Sequence, residues 1–169
     1  IAVSPQETAI APNLTVRENL ELMAGIHGYS KKEVKDKTAS MIDAFSLQPY
    51  ENQKSKTLSG GWQRKLSIAL ALISEPKILF LDEPTLGLDI LGRRELWALI
   101  NRLKEKTTIV LTTHYLEEAE ALCNRICVMK DGKVKAIGTV KELISMTNTE
   151  NFEDAFVKIV TKEGWNENH

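Results

Sequence analysis

The chain has 169 residues, 43% of them apolar and 27% charged, with a net charge of −1. It is long enough for about one domain with a sizeable core, and the near-neutral charge excludes a general electrostatic pull toward nucleic acid or acidic lipid. No apolar run approaches the roughly 20 residues a bilayer-crossing helix needs, and no signal peptide is visible.

The chain opens on IAVSPQ, with no initiator Met, and reads there like the end of a strand already under way. Three helices are announced by capping boxes, in which Ser or Thr and a Glu three residues later each satisfy one orphan backbone donor: TVRE at Thr15, SKKE at Ser30 and TVKE at Thr139. The second carries Val34, Thr38, Met41, Ile42 and Phe45 at helical spacing, so residues 15 to 50 form mainly a helical pair followed by a polar connector. A further helix runs through WQRKLSIALALI, with Leu66, Ala69, Leu70 and Ile73 on one side, until SEP breaks it. KILFL follows without polar alternation, which predicts a parallel-sheet strand buried on both faces. A helix spans about Ile90 to Lys104, and TTIVLTT predicts a second buried strand. YLEEAEALC is a short helix, and RICVMKDGKVKAIG is a hairpin turning at Asp131–Gly132. The last helix shows an apolar stripe of Phe152, Ala155, Phe156, Ile159 and Val160, beyond which TKEGWNENH is expected to fray. Cys123 and Cys127, four apart, read as small buried hydrophobes in a reducing compartment. The order of helices and strands gives an α/β core with a helical annex.

In parallel α/β sheets, ligands gather at the carboxyl ends of strands. Asp82 and Glu83 follow KILFL, and His114 follows TIVLTT. An acid, a base candidate and an imidazole at one sheet edge suit metal-assisted attack by water. Ser59, Gly60 and Gly61 stand where a helix begins, and its unpaired N–H groups and dipole favour an anion. His27 and His169 lack neighbours of catalytic type and read as surface residues; Trp97 reads as packing, and SKKEVKDK as a solvated helix face.

LSGGWQRK, KILFLDEPTLGLD and TTH, in that order and spacing, resemble the signature, Walker B, D-loop and H-loop segments of ATP-binding-cassette (ABC) ATPases. SPQETAIAPNLTVRENL resembles the family's Q-loop and the start of its helical subdomain, and KDGKVKAIGT its closing hairpin. The wording is similar to that of bacterial exporter ATPase subunits whose membrane-spanning part is a separate chain. The resemblance implies an α/β fold, a truncated P-loop NTPase core with a mainly parallel sheet plus a helical subdomain. It divides the chain into a Q-loop and helical part (residues 1–57), a signature, Walker B, D-loop and H-loop part (58–148), and a C-terminal helix and tail (149–169).

Roles follow from the same resemblance. Asp82 would hold the shell of a Mg²⁺ ion, and Glu83 would be the general base polarising the attacking water. His114 would contact the γ-phosphate of ATP, and Gln6 would reach the Mg²⁺ and the water. Ser59, Gly60 and Gly61 would clasp the γ-phosphate of ATP held by a second ATPase subunit, and Asp89 would cross the same dimer seam. A membrane-spanning permease subunit would be the other partner, and the place of action the cytoplasmic face of a bacterial or archaeal membrane, with export as the direction. Trp62 departs from the family's usual Gln, and its ring cannot reproduce an amide's hydrogen bonds.

The Gly-x-x-x-x-Gly-Lys-Ser/Thr cradle of a P-loop does not occur in the sequence; GLDILGRR, from Gly87 to Arg94, places Arg93 and Arg94 where the lysine and hydroxyl should stand. The expectation is a C-terminal portion of an ABC ATPase, inactive alone, whose strand TIVLTT lies beside a gap that the sheet closes or a second copy fills. Two other classes share part of the signature. An ABC-type ATPase of DNA repair or chromosome maintenance would carry a long coiled-coil insertion, and no heptad array lies between Gln6 and Leu58. A non-catalytic interaction module is the third.

Overall fold

The computed structural model describes residues 1–161, which divide into two compact units, the first ending at Thr112 and the second beginning at Thr113. This division falls inside the central segment of the functional subdivision above.

In the first unit, β1 (Ala2–Ser4), β2 (Ile78–Asp82) and β3 (Thr108–Thr112) form a parallel sheet in that order. The register aligns Val3 with Phe80 and Val110, and Ser4 with Leu81 and Leu111. The strand ends therefore lie side by side along one edge. Between β1 and β2 the chain makes α1 (Val16–Ile26), α2 (Lys31–Ala44) and α3 (Gly60–Leu72). The capping boxes at Thr15 and Ser30 both form, each with its reciprocal Glu contact. Thr38, Ile42 and Phe45 are buried as the stripe on α2 requires. The buried Asn19 side chain bonds the carbonyls of Ala11, Leu14 and Thr15 and accepts from the Ala11 N–H, tying the segment after β1 to α1. On α3, Leu66, Ala69, Leu70 and the following Ile73 are buried, and the helix packs against β1, β2 and α1. It ends in a turn where Glu75 adopts a left-handed φ of 51°. α4 (Ile90–Leu103) buries Leu96, Leu99 and Ile100.

Two expectations are corrected here. β2 is buried on one face only: Leu79 and Leu81 are sealed, whereas Phe80 on the other face is 39% exposed. β3 has no fully buried residue, and its Val110 is 43% exposed. The physical reason is that α3 covers one face of the sheet, while the row Val3–Phe80–Val110 on the opposite face meets solvent.

The second unit holds α5 (Leu116–Leu122), an antiparallel hairpin of β4 (Ile126–Lys130) and β5 (Lys133–Gly138), α6 (Val140–Thr147) and α7 (Phe152–Thr161). The hairpin turns at Asp131–Gly132, both at positive φ (52° and 71°), as the tight turn between twisted strands demands. Thr139 completes the third capping box. The apolar stripe of α7 packs into a core with Val128, Ala136 and Leu143. The cysteines do not follow the expected burial. Cys123 is half-buried at the end of α5 and Cys127 is exposed, because Cys127 lies on the hairpin face opposite Val128. The fraying expected at the C-terminus, and His169, lie outside the described residues.

Candidate functional site

The strand ends of the first unit collect the first group of candidate residues. Asp82 is the last residue of β2, exposed, and its carboxylate accepts a hydrogen bond from the Thr112 hydroxyl at the paired position of β3. Glu83, half-buried, follows with a φ of 45°, a left-handed conformation that costs a non-glycine residue energy unless its surroundings hold it. Its N–H donates to the Thr112 carbonyl (3.1 Å) and lies 3.3 Å from the Thr112 Oγ1. Its own carbonyl accepts from the Leu86 N–H at 3.1 Å and from the Arg64 guanidinium at 3.2 Å.

Arg64 is the residue that the sequence reading missed. Only 4% exposed, it reaches from the first turns of α3 to the ends of two strands. Its Nη1 donates to the Pro5 carbonyl at 2.6 Å, and its Nη2 to the Gln6 carbonyl at 2.8 Å as well as to Glu83. One turn further along α3, Ser67 shares a buried hydroxyl contact with Ser4 at 3.1 Å. A cation one helical turn before Ser67, on the same face of α3, is the signal that could have revealed it. The Gln6 side chain itself is exposed beside these anchored carbonyls.

A second group lines a cleft of about 410 Å³ between the start of α3 and the start of α4, bounded by Ser59, Gly60, Gly61 and Asp89. Ser59 occupies the N-cap position of α3, but its side chain makes no capping bond, which leaves the first N–H groups of a 13-residue helix directed at the cleft mouth. Asp89 is exposed and caps α4, its Oδ1 accepting from the Gly92 N–H at 2.7 Å. Trp62 fills the rim. Its ring lies 4.6 Å from that of Tyr50 and under the Lys65 ammonium, 4.0 Å away, and Lys65 pairs with Glu95 at 2.8 Å. The residue that departs from the family's usual Gln is thus a packed aromatic.

His114 belongs to the second unit, exposed, with its ring 4.1 Å from that of Tyr115. His27 is exposed near Tyr29, and Trp97 is half-buried on α4. Among the described residues, no group of three His, Cys, Asp or Glu side chains could hold a metal by itself. A hard divalent ion of the Mg²⁺ kind is held by one or two carboxylates together with phosphate and water. Asp82, an exposed carboxylate oriented by a hydroxyl, fits such a ligand in chemical type.

A family model described as ABC transporter matches residues 1–86. The daunorubicin/doxorubicin resistance ATP-binding protein DrrA of Streptomyces peucetius is 42% identical over 146 residues, covering 86% of this chain and 44% of that protein. The human phospholipid-transporting ATPase ABCA3 is 41% identical over 139 residues, covering 82% of this chain and 8% of that protein. A solved structure titled as the ATP binding subunit of an ABC transporter superposes with a TM-score of 0.79 at 29% identity, covering 94% of this chain and 67% of that one. The chain spans less than half the length of the two curated relatives. They come from a bacterium and a mammal, so likeness alone does not single out a bacterial setting.

Proposed function

This chain belongs to the ABC transporter family, and from that premise we propose that it forms part of an ATPase subunit that drives transport through a membrane-spanning partner. The observation that carries the reading is the strand-end edge, where Asp82 and Glu83 leave β2 beside Thr112 and the anchored Pro5–Gln6 turn. Glu83, held in its unusual backbone conformation at the end of β2, takes a proton from the attacking water. Asp82 would hold the Mg²⁺ that accompanies ATP, and that ion would neutralise charge developing on the phosphates. Gln6 would reach the water and the metal, and His114 would contact the γ-phosphate.

The second half of the proposal concerns the cleft. Ser59, Gly60 and Gly61 present a helix N-terminus to the γ-phosphate of ATP held by a second ATPase subunit, with Asp89 at the same seam. The sequence holds no Gly-x-x-x-x-Gly-Lys-Ser/Thr segment, so the 169-residue chain by itself lacks the donors that cradle phosphates and does not turn over ATP. No helix among the described residues is long and apolar enough to cross a membrane. A separate membrane-spanning permease subunit, reached from the cytoplasmic face, completes the machine. We favour export, on the likeness to an ATP-binding protein named for drug resistance. The likeness to a phospholipid-transporting ATPase favours transport over a DNA-maintenance role.

The test is ATP hydrolysis by the product of the complete gene with its membrane partner. Glu83→Gln, which keeps the shape and removes the base, lowers turnover about 10²- to 10⁴-fold while ATP binding persists. Undiminished turnover in that variant would overturn the assignment.

A further inference from the structure

Arg64 joins segments that no local pattern connects. Its guanidinium sits 4% exposed at the C-terminal ends of β1 and β2, with Nη1 on the Pro5 carbonyl and Nη2 on both the Gln6 and Glu83 carbonyls. These acceptors lie 59, 58 and 19 residues away in the chain. A guanidinium is a rigid planar fork, so moving one of its acceptors alters the geometry offered to the others. Glu83 makes that geometry consequential. Its φ of 45° is maintained by the surroundings, namely the Thr112 carbonyl at its N–H and Arg64 with the Leu86 N–H at its carbonyl. The helix bearing Arg64 is the same one that Ser59 precedes at its N-terminus.

We propose that Arg64 is a positioning residue that ties the Gln6 turn to the backbone of Glu83, so that a shift of the Gln6 turn redirects the Glu83 carboxylate. It touches neither substrate nor metal; it acts through the carbonyl of the base and through α3. The proposal rests on the reading of Glu83 as general base, and its structural half stands apart from that reading.

Two measurements test it. In the product of the complete gene, Arg64→Lys keeps the charge but not the fork, and it lowers kcat for ATP hydrolysis about 10- to 100-fold with KM for ATP unchanged. Amide exchange is the second measurement. Arg64→Lys speeds exchange at the Glu83 and Leu86 amides while Leu66 to Leu72 in α3 keep wild-type protection. A variant with unchanged kcat and unchanged exchange at Glu83 overturns the proposal. Protection lost evenly through α3 and β1 also overturns it, since that marks a purely packing arginine. If Arg64→Lys does not fold, Arg64→Gln, which has an amide donor and no charge, is read by the same two measurements. Hydrolysis that survives Glu83→Gln removes the base assignment; hydrolysis lost in Glu83→Gln but untouched by Arg64→Lys removes only the coupling.

Discussion

At the scale of single residues, the buried polar groups of the first unit fall into two kinds. Asn19 is 3% exposed, and its amide nitrogen lies within bonding distance of three backbone carbonyls while its oxygen takes the Ala11 N–H. Thr38, fully buried on α2, has a hydroxyl with no hydrogen-bond partner among the described residues. The energetic asymmetry of burial gives these residues opposite signs, because a satisfied group strands its partners when removed while an unsatisfied one relieves a desolvation cost. Asn19→Ala is therefore expected to destabilise by about 1–3 kcal/mol, and Thr38→Val, which keeps the branched shape, to stabilise by about 1 kcal/mol. Urea unfolding of the two variants beside wild type measures both. A destabilised Thr38→Val would show that water reaches that hydroxyl. Arg64 belongs to the first kind, since each backbone carbonyl it meets would lose a charged donor.

At the scale of elements, the three capped helices share one pH dependence. The carboxyls of Glu18 and Glu142 are held below the ordinary range chiefly by the backbone N–H of Thr15 and Thr139, and that of Glu33 chiefly by the Ser30 side chain. A carboxylate whose folded pKa is depressed contributes stability that is present above its unfolded value, about 4.3, and lost as pH falls through the lowered folded value. The first turns of α1, α2 and α6 are thus intact at neutral pH and open at acid pH. Amide exchange at Thr15, Ser30 and Thr139 followed below about pH 4.3 detects this. Glu18→Gln, still an acceptor but without a titrating proton, leaves α1 closed at neutral pH and abolishes the acid-induced change there. An acid response unaltered in that variant would place its origin outside the capping box. Strands behave differently from helices, since no residue within β2 reveals that Phe80 faces solvent while its neighbours Leu79 and Leu81 are sealed.

At the scale of the whole molecule, that exposure becomes a solution property. Val3, Phe80 and Val110 stand in register across three strands, 58%, 39% and 43% exposed, on a sheet whose β3 pairs with β2 alone among the described residues. An open apolar row beside an unpaired strand edge is a template for association. The chain studied alone is expected to self-associate, and Val110→Lys, a charge on that row at the edge strand, to shift it toward monomer; light scattering on both decides. A wild-type chain that remains monomeric at high concentration removes the expectation. The same contrast between near and far separates what could be read in advance from what could not. Capping boxes, the Asp131–Gly132 turn, the helical stripes and the carboxylates closing β2 depend on residues at most a few places apart, so the amino-acid order alone determined them, and with them the family motifs. Which face of KILFL is covered, where Cys127 points, how Thr112 orients Asp82 from 30 residues away, and that Arg64 meets carbonyls up to 59 residues distant were decided only by tertiary structure. Apolar strands look alike whether one face is buried or two, and a cation's acceptors are chosen by strand register and helix packing, which no local pattern of side chains encodes.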